Sequence, residues 1–194
     1  PGEMNGFGST SAAIMLPGFT PWRTVTVGKT LAPIVETTIP FDVVRPLYEP
    51  SRNYEYGKGS WSWIIKMDPS CNFDEQKRYI DFSAAMGYRS VLVDALWDTQ
   101  IGREKIEELA AYGKSKGVGL YLWYNSNGHW NDEPQGPRGI MNDIVNRRKE
   151  MSWMRDNGIL GIKVDFFGGD KQETMRLYLS LIHISEPTRL RRIS

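Results

Sequence analysis

The chain has 194 residues, 40% of them hydrophobic and 12% aromatic, and its formal net charge is +1. This composition is typical of a globular protein, and no apolar stretch reaches the roughly 18 residues that a membrane span needs. A single cysteine, Cys71, excludes an internal disulfide framework, and a net charge near zero gives no electrostatic reason to expect nucleic acid as a partner.

The first 57 residues are rich in glycine, proline and threonine. The run from Trp22 to Val27 alternates in polarity and is bounded by Gly18 and Gly28, which predicts a β-strand between close turns. No helix is predicted in this region. Four prolines interrupt the chain after this run, so residues 41–57 are predicted to be an irregular linker.

Strand and helix patterns alternate from residue 59 onward. Apolar runs predict strands at 60–65, 90–95, 118–124 and 161–167. Amphipathic segments predict helices at 72–86, 102–115 and 141–157, and a fourth helix that opens at Asp170. Asn72 is the predicted N-cap of the first helix, and Gly87, Gly117 and Gly158 follow the three helix ends. Four strand–helix units joined by short turns predict a parallel α/β sheet.

The fourth predicted strand carries the most informative residues, in the stretch GIKVDFFGGD. Side chains alternate along a strand, so Lys163 and Asp165 share one face while Ile162 and Val164 share the other. A buried charge is costly unless it is paired or used. The pair is therefore either a structural ion pair or the floor of an active site.

Polar and aromatic side chains gather where the predicted strands end, the edge at which barrel and doubly wound enzymes hold their chemistry. A long polar loop, 126–139, follows the third strand at the same edge. No glycine-rich phosphate-binding motif follows any strand, and carboxylates with several tryptophans favour a sugar ligand. The candidate site residues are Trp61, Asp94, Trp97, Asp98, Trp123, Asn125, Lys163 and Asp165.

Other interpretations of these residues stay open at this point. Asp94 could be an ordinary loop acid, or it could bind a divalent metal together with Asp165, although a third carboxylate is then missing where Asn125 stands. His129 in the long loop is interpreted as a surface residue. Cys71 precedes a predicted helix start, but without a nearby histidine no catalytic role is expected of it.

Three motifs, TPWRTVTVG at residues 20–28, SVLVDALWD and GIKVDFFGGD, together with the tryptophan-rich first strand, resemble glycoside hydrolase family 97. The resemblance covers residues 1–178. It implies a (β/α)8 barrel with α-galactosidase or α-glucosidase activity. On the family pattern Asp165 is the nucleophile, Lys163 binds sugar hydroxyls, and Asp94 holds the non-reducing sugar. Asn125 stands where an inverting member carries a glutamate, so the chain resembles the retaining branch.

The resemblance also implies an organisation into parts. Residues 1–40 are expected to end an N-terminal β-sandwich domain, 41–57 to be a linker, and 58–178 to form the first four units of the barrel. The general acid is expected beyond Tyr178, and calcium is expected as cofactor with no ligand matched in this sequence. The expected partner is an oligosaccharide, and the expected location is periplasmic or secreted. The alternatives are an α-glucosidase and a non-catalytic carbohydrate-binding barrel.

The last 16 residues stand apart. Residues 179–189, LSLIHISEPTR, resemble a translated sequencing-library adapter, so 179–194 is interpreted as a non-native tail. The tail holds three arginines and one glutamate, a net contribution of +2, which leaves the rest of the chain at −1. Four barrel units leave two open strand edges, so we expect the polypeptide as written to be inactive and to aggregate or dimerise.

Overall fold

The computed structural model describes residues 17–18, 22–43, 55–126, 131–168 and 172–184, without the side chains of 40–41, 172–173 and 182–184. The chain divides into two compact units. The smaller unit spans Ser9–Asn53, and the larger one contains all the described residues from 55 onward. The predicted surface residue His129 and the predicted helix start at Asp170 lie outside the described residues.

The smaller unit contains two short helices, α1 (Ala32–Glu36) and α2 (Ile39–Val43). The prediction that this region lacks helices was therefore wrong, and Pro33 in the first turn of α1 is compatible with a helix start. Residues 22–27 form no regular structure, because no strand pairs with them in the described part of the chain. The assignment of residues 1–40 to a β-sandwich domain stays a prediction.

The larger unit is built on a parallel sheet of four strands in the order β1-β2-β3-β4. All three strand pairings are parallel. This confirms the predicted topology, which is that of the first half of a (β/α)8 barrel. The strands are β1 (Gly59–Trp61), β2 (Ser90–Val93), β3 (Gly119–Asn125) and β4 (Gly161–Asp165).

Helices connect the strands and continue beyond β4. They are α3 (Trp63–Lys66), α4 (Phe73–Ala85), α5 (Trp97–Gln100), α6 (Arg103–Ser115), α7 (Ile144–Asp156) and α8 (Gln172–Ile184). Asn72 caps α4 by accepting a hydrogen bond from the Glu75 amide at 3.0 Å, as the sequence predicts. The predicted glycines behind α4, α6 and α7 all have φ near +70°, a conformation that favours glycine.

The first predicted strand is shorter than expected. It was predicted to run from 60 to 65, but the chain leaves the sheet after Trp61 and forms the single helical turn α3. Ser62 is buried at this turn, where its hydroxyl lies 2.9 Å from that of Ser70 and accepts a hydrogen bond from Gln76. These hydrogen bonds compensate the cost of burying the Ser62 hydroxyl at the point where the chain leaves the sheet.

The hydrophobic core lies between the outer face of the sheet and the helices. One set of alternate side chains points outward from the strands and is buried against Ile80 of α4 and Ile106 and Leu109 of α6. The outward strand residues in the core are Val91, Val93, Leu120, Leu122 and Tyr124. The other set of alternate residues forms the inner face, whose carboxyl edge carries the candidate site.

Helix α8 extends through Ile184 and so includes six residues of the proposed tail. Leu181 is buried in the core, and Ser180 accepts a hydrogen bond from Arg147 at 2.5 Å. The foreign origin of residues 179–194 stays a prediction. Among the described residues, no helix combines the length and the apolar character that crossing a bilayer requires.

Candidate active site

Strand β4 presents Lys163 and Asp165 on the inner face of the sheet, at its carboxyl end. Lys163 pairs with Trp123 of β3, and Asp165 pairs with Asn125. Ile162 and Val164 of the same strand pack against the hydrophobic core. The predicted separation of the two faces of β4 is therefore present in the structure.

The ammonium of Lys163 lies between two carboxylates. Its Nζ is 3.1 Å from Asp165 Oδ2 and 3.4 Å from Asp94 Oδ2, and it lies 4.2 Å from the centre of the Trp61 ring. The Trp61 indole N–H donates to Asp94 Oδ2 at 2.7 Å. Four of the predicted site residues thus form one cluster at the carboxyl edge of the sheet, which we call the inner-face cluster: Trp61, Asp94, Lys163 and Asp165.

The Asp165 carboxylate is held at both oxygens and still reaches solvent. Oδ1 accepts from the backbone N–H of Phe166 at 2.9 Å, and Oδ2 accepts from the Trp123 indole at 3.1 Å as well as from Lys163. The side chain is 38% exposed. Partial burial acts to raise the pKa of Asp165, but the hydrogen bonds from Phe166, Trp123 and Lys163 outweigh it and hold the pKa below its ordinary value.

Asp94 has a related but more enclosed setting. Its Oδ1 accepts from the next backbone N–H, that of Ala95, at 2.9 Å, just as Asp165 accepts from Phe166. Its Oδ2 accepts from Trp61 and Lys163, and the residue is buried. Asp94 is therefore the more fixed of the two carboxylates, and Asp165 is the more accessible.

Trp97 and Trp123 do not offer flat faces to a ligand as predicted. Trp97 is 0% exposed and stacks on Trp153, and its indole N–H donates to the backbone carbonyl of Trp123 at 2.9 Å. The prediction of Trp97 as a sugar-binding residue is therefore corrected to a core position. Trp123 is buried as well, but its N–H reaches Asp165, so it contacts the site through a hydrogen bond.

Asn125 and Asp98 lie at the same edge of the sheet and contact the loop that follows β3. Asn125 is buried, and its amide donates to the backbone carbonyls of Glu133 and Gln135 at 3.1 and 3.0 Å. Asp98 is exposed on α5, and its carboxylate lies so close to Gly136 that a β-carbon there would be 2.6 Å from Oδ2. Asn125 thus binds the loop after β3 and is also the ladder partner of Asp165, whereas Asp98 lies against the same loop at Gly136.

Two residues that the sequence reasoning missed support the end of β4. Ser126 Oγ and Asn131 Nδ2 both donate to the backbone carbonyl of Phe166, at 2.9 and 2.8 Å. Phe166 has a φ of 61°, in the left-handed region that costs a residue with a β-carbon roughly 1–2 kcal/mol. The available signal was the position of Ser126, which follows directly after a strand that ends at the site.

The other interpretations of these acidic and thiol groups find little support. The Lys163 ammonium occupies the space between Asp94 and Asp165 that a shared metal would need. In the described ranges, no group of three His, Cys, Asp or Glu side chains is arranged to hold a metal ion. Cys71 is buried, and burial followed by the nearby charge of Asp94 raises its pKa to about 12, so its thiol stays protonated.

A family model described as glycoside hydrolase 97 matches residues 53–190. The chain is 28% identical over 173 residues to a probable retaining alpha-galactosidase of Streptomyces bingchenggensis, covering 82% of this chain and 25% of the relative. It is 27% identical over 169 residues to a retaining alpha-galactosidase of Bacteroides thetaiotaomicron, covering 79% of this chain and 23% of the relative.

Among solved structures, the chain matches a crystal structure of a beta-arabinopyranosidase. The TM-score is 0.83 at 56% sequence identity, and the match covers 88% of this chain and 27% of the other. The chain thus spans about a quarter of the length of each of these proteins.

Proposed function

The chain belongs to glycoside hydrolase family 97, and from that premise we propose that the full-length protein is a retaining α-glycosidase of the α-galactosidase type. The relatives named as retaining alpha-galactosidases support this proposal. The observation that carries it is the Asp165 carboxylate, which is 38% exposed on the inner face and lies 3.1 Å from an ammonium. Hydrogen bonds from Phe166 and Trp123 also fix the two oxygens of this carboxylate at the carboxyl end of the sheet.

In the proposed mechanism, Asp165 is the nucleophile of a double displacement. Its carboxylate attacks the anomeric carbon as the bond to the leaving oxygen breaks, and a general acid outside the described residues protonates that oxygen. The resulting glycosyl ester of Asp165 is then cleaved by water, which restores the carboxylate with net retention. The lowered pKa of Asp165 keeps the nucleophile ionised at neutral pH.

The rest of the inner-face cluster has two proposed roles. Lys163 holds the Asp165 carboxylate and donates to a sugar hydroxyl, since an ammonium has three protons and the two carboxylates use two of them. Asp94 accepts from a second hydroxyl, because a carboxylate has about four acceptor sites and three donors among the described residues reach it. Both contacts would orient the sugar above Asp165.

A second candidate function is favoured by the 56% identity to a beta-arabinopyranosidase, which is twice the identity to either named alpha-galactosidase. A β-L-arabinopyranoside is an α-D-galactopyranoside without the exocyclic hydroxymethyl group. The same nucleophile and hydroxyl contacts would therefore serve both sugars, and the space beyond C5 would decide between them. An α-glucosidase would instead have to accept the opposite configuration at C4.

Substrate comparison separates these candidates. The kcat/KM values of the full-length enzyme are measured on the p-nitrophenyl glycosides of α-galactose, α-glucose and β-L-arabinopyranose. We expect the α-galactoside to exceed the α-glucoside by at least tenfold. A faster reaction with the arabinopyranoside would make the second candidate the main activity, and a preference for the α-glucoside would reject both.

Replacing Asp165 tests the mechanism itself. Asp165→Ala in the full-length enzyme is expected to lower kcat by at least about 10⁴-fold, and added azide should restore turnover by forming the β-glycosyl azide. Asp156→Ala is the matched control, since Asp156 is an exposed acid that pairs with Arg155, and it should leave kcat unchanged. Wild-type turnover in Asp165→Asn would reject the assignment.

Calcium and an extracytoplasmic location are parts of the proposal that rest on family resemblance. The described residues supply no three-residue cluster for a metal ion, so the calcium ligands would come from elsewhere in the protein, and no step above passes through the metal. The proposed location, periplasmic or secreted, is the one that the family resemblance implies. Fractionation of cells that produce the full-length protein would test it.

A further inference from the structure

The residue after the candidate nucleophile has an unusual backbone conformation. Phe166 has a φ of 61°, whereas the residues of β4 before it are extended. A side chain with a β-carbon disfavours this conformation, so surrounding contacts must hold it in place. In the described residues a positive φ is found at only two other non-glycine residues, Met67 and Leu96.

The contacts that hold Phe166 come from the segment after β3. Ser126 Oγ and Asn131 Nδ2 both donate to the Phe166 carbonyl oxygen, at 2.9 and 2.8 Å, and both residues are buried. The Ser126 amide also donates to the Asp165 carbonyl at 2.9 Å. Ser126 thus binds both peptide units that follow Asp165, and Asn131 binds the second of them.

We propose that Ser126 and Asn131 are positioning residues, which form a carbonyl clamp that keeps the Phe166 amide directed at Asp165 Oδ1. This inference rests on the proposed function, in which Asp165 is the nucleophile. The amide and the carbonyl of Phe166 flank one α-carbon, so rotation of φ to negative values would carry the carbonyl away from both donors. The clamp therefore fixes the direction of the N–H as well.

The clamp completes the orientation of the carboxylate. Phe166 N–H donates to Oδ1 at 2.9 Å, while Trp123 and Lys163 both contact Oδ2 at 3.1 Å. Without the first contact the carboxylate would keep only its Oδ2 contacts and could turn about them. A nucleophile must stay within a narrow range of position and angle to react, so this rotation would lower the rate.

Asn131 is itself well supported for this role. The side-chain Nδ2 of Asn131 also donates to Asn125 Oδ1 at 2.6 Å, and its Oδ1 accepts from the backbone N–H of Glu133 at 3.0 Å. The side chain therefore cannot turn away without breaking contacts at both ends. The buried Asn125 was predicted to bind the sugar, but in the structure its Oδ1 accepts a hydrogen bond from Asn131 and so supports the clamp.

A double-mutant cycle with Phe166→Gly tests the clamp in the full-length enzyme, since glycine adopts the left-handed conformation without the penalty. The variant S126A/N131A should lose about 30-fold in kcat/KM, which is about 2 kcal/mol at 1.4 kcal/mol per tenfold. In the Phe166→Gly background the same two changes should cost less than about threefold. An equal loss in both backgrounds would overturn the proposal.

Two further readouts exclude a merely structural role. The acid limb of the pH profile of kcat/KM should move to higher pH in S126A/N131A, because Asp165 loses a hydrogen bond that stabilises its ionised form. Thr174→Val is the matched control: it removes a buried hydroxyl that donates to the Gly168 carbonyl at 3.0 Å, and it should leave the acid limb in place. An unmoved acid limb in S126A/N131A would contradict the clamp.

A crystal structure of the double variant decides the question independently of activity. We expect φ of Phe166 to leave the left-handed region and the contact from its N–H to Asp165 Oδ1 to be lost. If both persist, the clamp is rejected even where the enzyme is a glycosidase, and if the wild type shows no glycosidase activity, the proposed function fails on its own. Should the double variant not fold, Ser126→Ala alone serves, with an expected loss of about threefold to tenfold that Phe166→Gly again reduces.

Discussion

The two faces of the parallel sheet differ in almost every property although they belong to the same strands. The outer face is mostly apolar, with Val91 and Leu122 fully buried and Ile162 and Val164 partly buried. The inner face carries Asp94, Lys163 and Asp165, joined by ion pairs and partly open to solvent. The comparison teaches that side-chain alternation alone separates the residues that stabilise this fold from those proposed to carry its chemistry.

The charge balance of the inner face also has a chemical meaning. Two carboxylates share one ammonium, so the inner-face cluster carries a net charge of −1 when all three groups are ionised. The transition state of glycoside cleavage resembles an oxocarbenium ion and is positively charged. A site with one excess negative charge stabilises it, whereas a balanced structural ion pair would not.

After the loss of Asp165 itself, removal of the Lys163 ammonium should lower activity the most. Lys163→Met keeps an unbranched side chain that is one atom shorter and leaves Asp94 and Asp165 without the cation between them. Asp165 then loses a contact that orients it, and the site loses a hydrogen-bond donor to the sugar. We expect kcat/KM of the full-length enzyme to fall by about 10²–10³-fold. Steady-state kinetics on the p-nitrophenyl α-galactoside measure the loss.

A second lysine provides the control for this experiment. Lys66 also forms an ion pair, 2.7 Å from Glu75, but it lies on α3 outside the inner-face cluster. Lys66→Met should leave kcat/KM within about twofold of the wild type, because exposed ion pairs contribute little. If both variants lose the same activity, the special role of Lys163 is refuted.

The outer face should respond in stability rather than in catalysis. Leu122 lies in the middle of β3 and is fully buried, so Leu122→Ala removes apolar contacts and leaves a cavity. We expect the free energy of unfolding to fall by about 2–5 kcal/mol, measured by denaturant titration. Well below the melting temperature, kcat/KM should stay within about threefold of the wild type.

An exposed apolar residue, Val145, provides the control for the stability measurement on Leu122→Ala. Val145 lies on α7 and is 56% exposed, so Val145→Ala should change the free energy of unfolding by no more than about 0.5 kcal/mol. A loss of activity in Leu122→Ala that exceeds its loss of folded protein would show that the two faces are coupled. That result would weaken the division of roles between them.

Local patterns predicted the framework well. The four strands, the three long helices between them, and the capping role of Asn72 follow from periodicity and from short-range hydrogen bonds, which the sequence contains directly. The same alternation placed Lys163 and Asp165 on one face. The contact of Asp94 with Lys163 was not predicted; the sequence indicated only that both residues lie at the carboxyl ends of parallel strands.

Long-range contacts account for what the sequence could not show. Trp97 was predicted at the sugar but is buried by Trp153, which lies 56 positions further along the chain. Asn131 reaches the Phe166 carbonyl across 35 positions, and no local pattern marks that hydrogen bond. In the first 57 residues, the alternating run predicted a strand, but the described residues offer it no partner strand.

A smaller effect is predicted for a buried residue on the inner face of β3. Trp123 is buried like an outer-face residue, yet its indole N–H donates to Asp165 Oδ2 at 3.1 Å. Trp123→Phe keeps an aromatic ring and removes the donor, so the pKa of Asp165 should rise toward its ordinary value and the acid limb of kcat/KM should move to higher pH. A loss of about threefold to tenfold in kcat/KM is expected.

Trp153→Phe distinguishes this role from the general loss of an indole. Trp153 also donates through its N–H, to Glu107 at 2.7 Å on the helical side of the sheet, so its replacement should change stability and leave the acid limb unmoved. If both variants shift the acid limb equally, the shift reports a general disturbance of the fold. If only Trp123→Phe shifts it, a buried residue acts on the inner-face carboxylate through one hydrogen bond, and burial alone does not assign a side chain to the structural face.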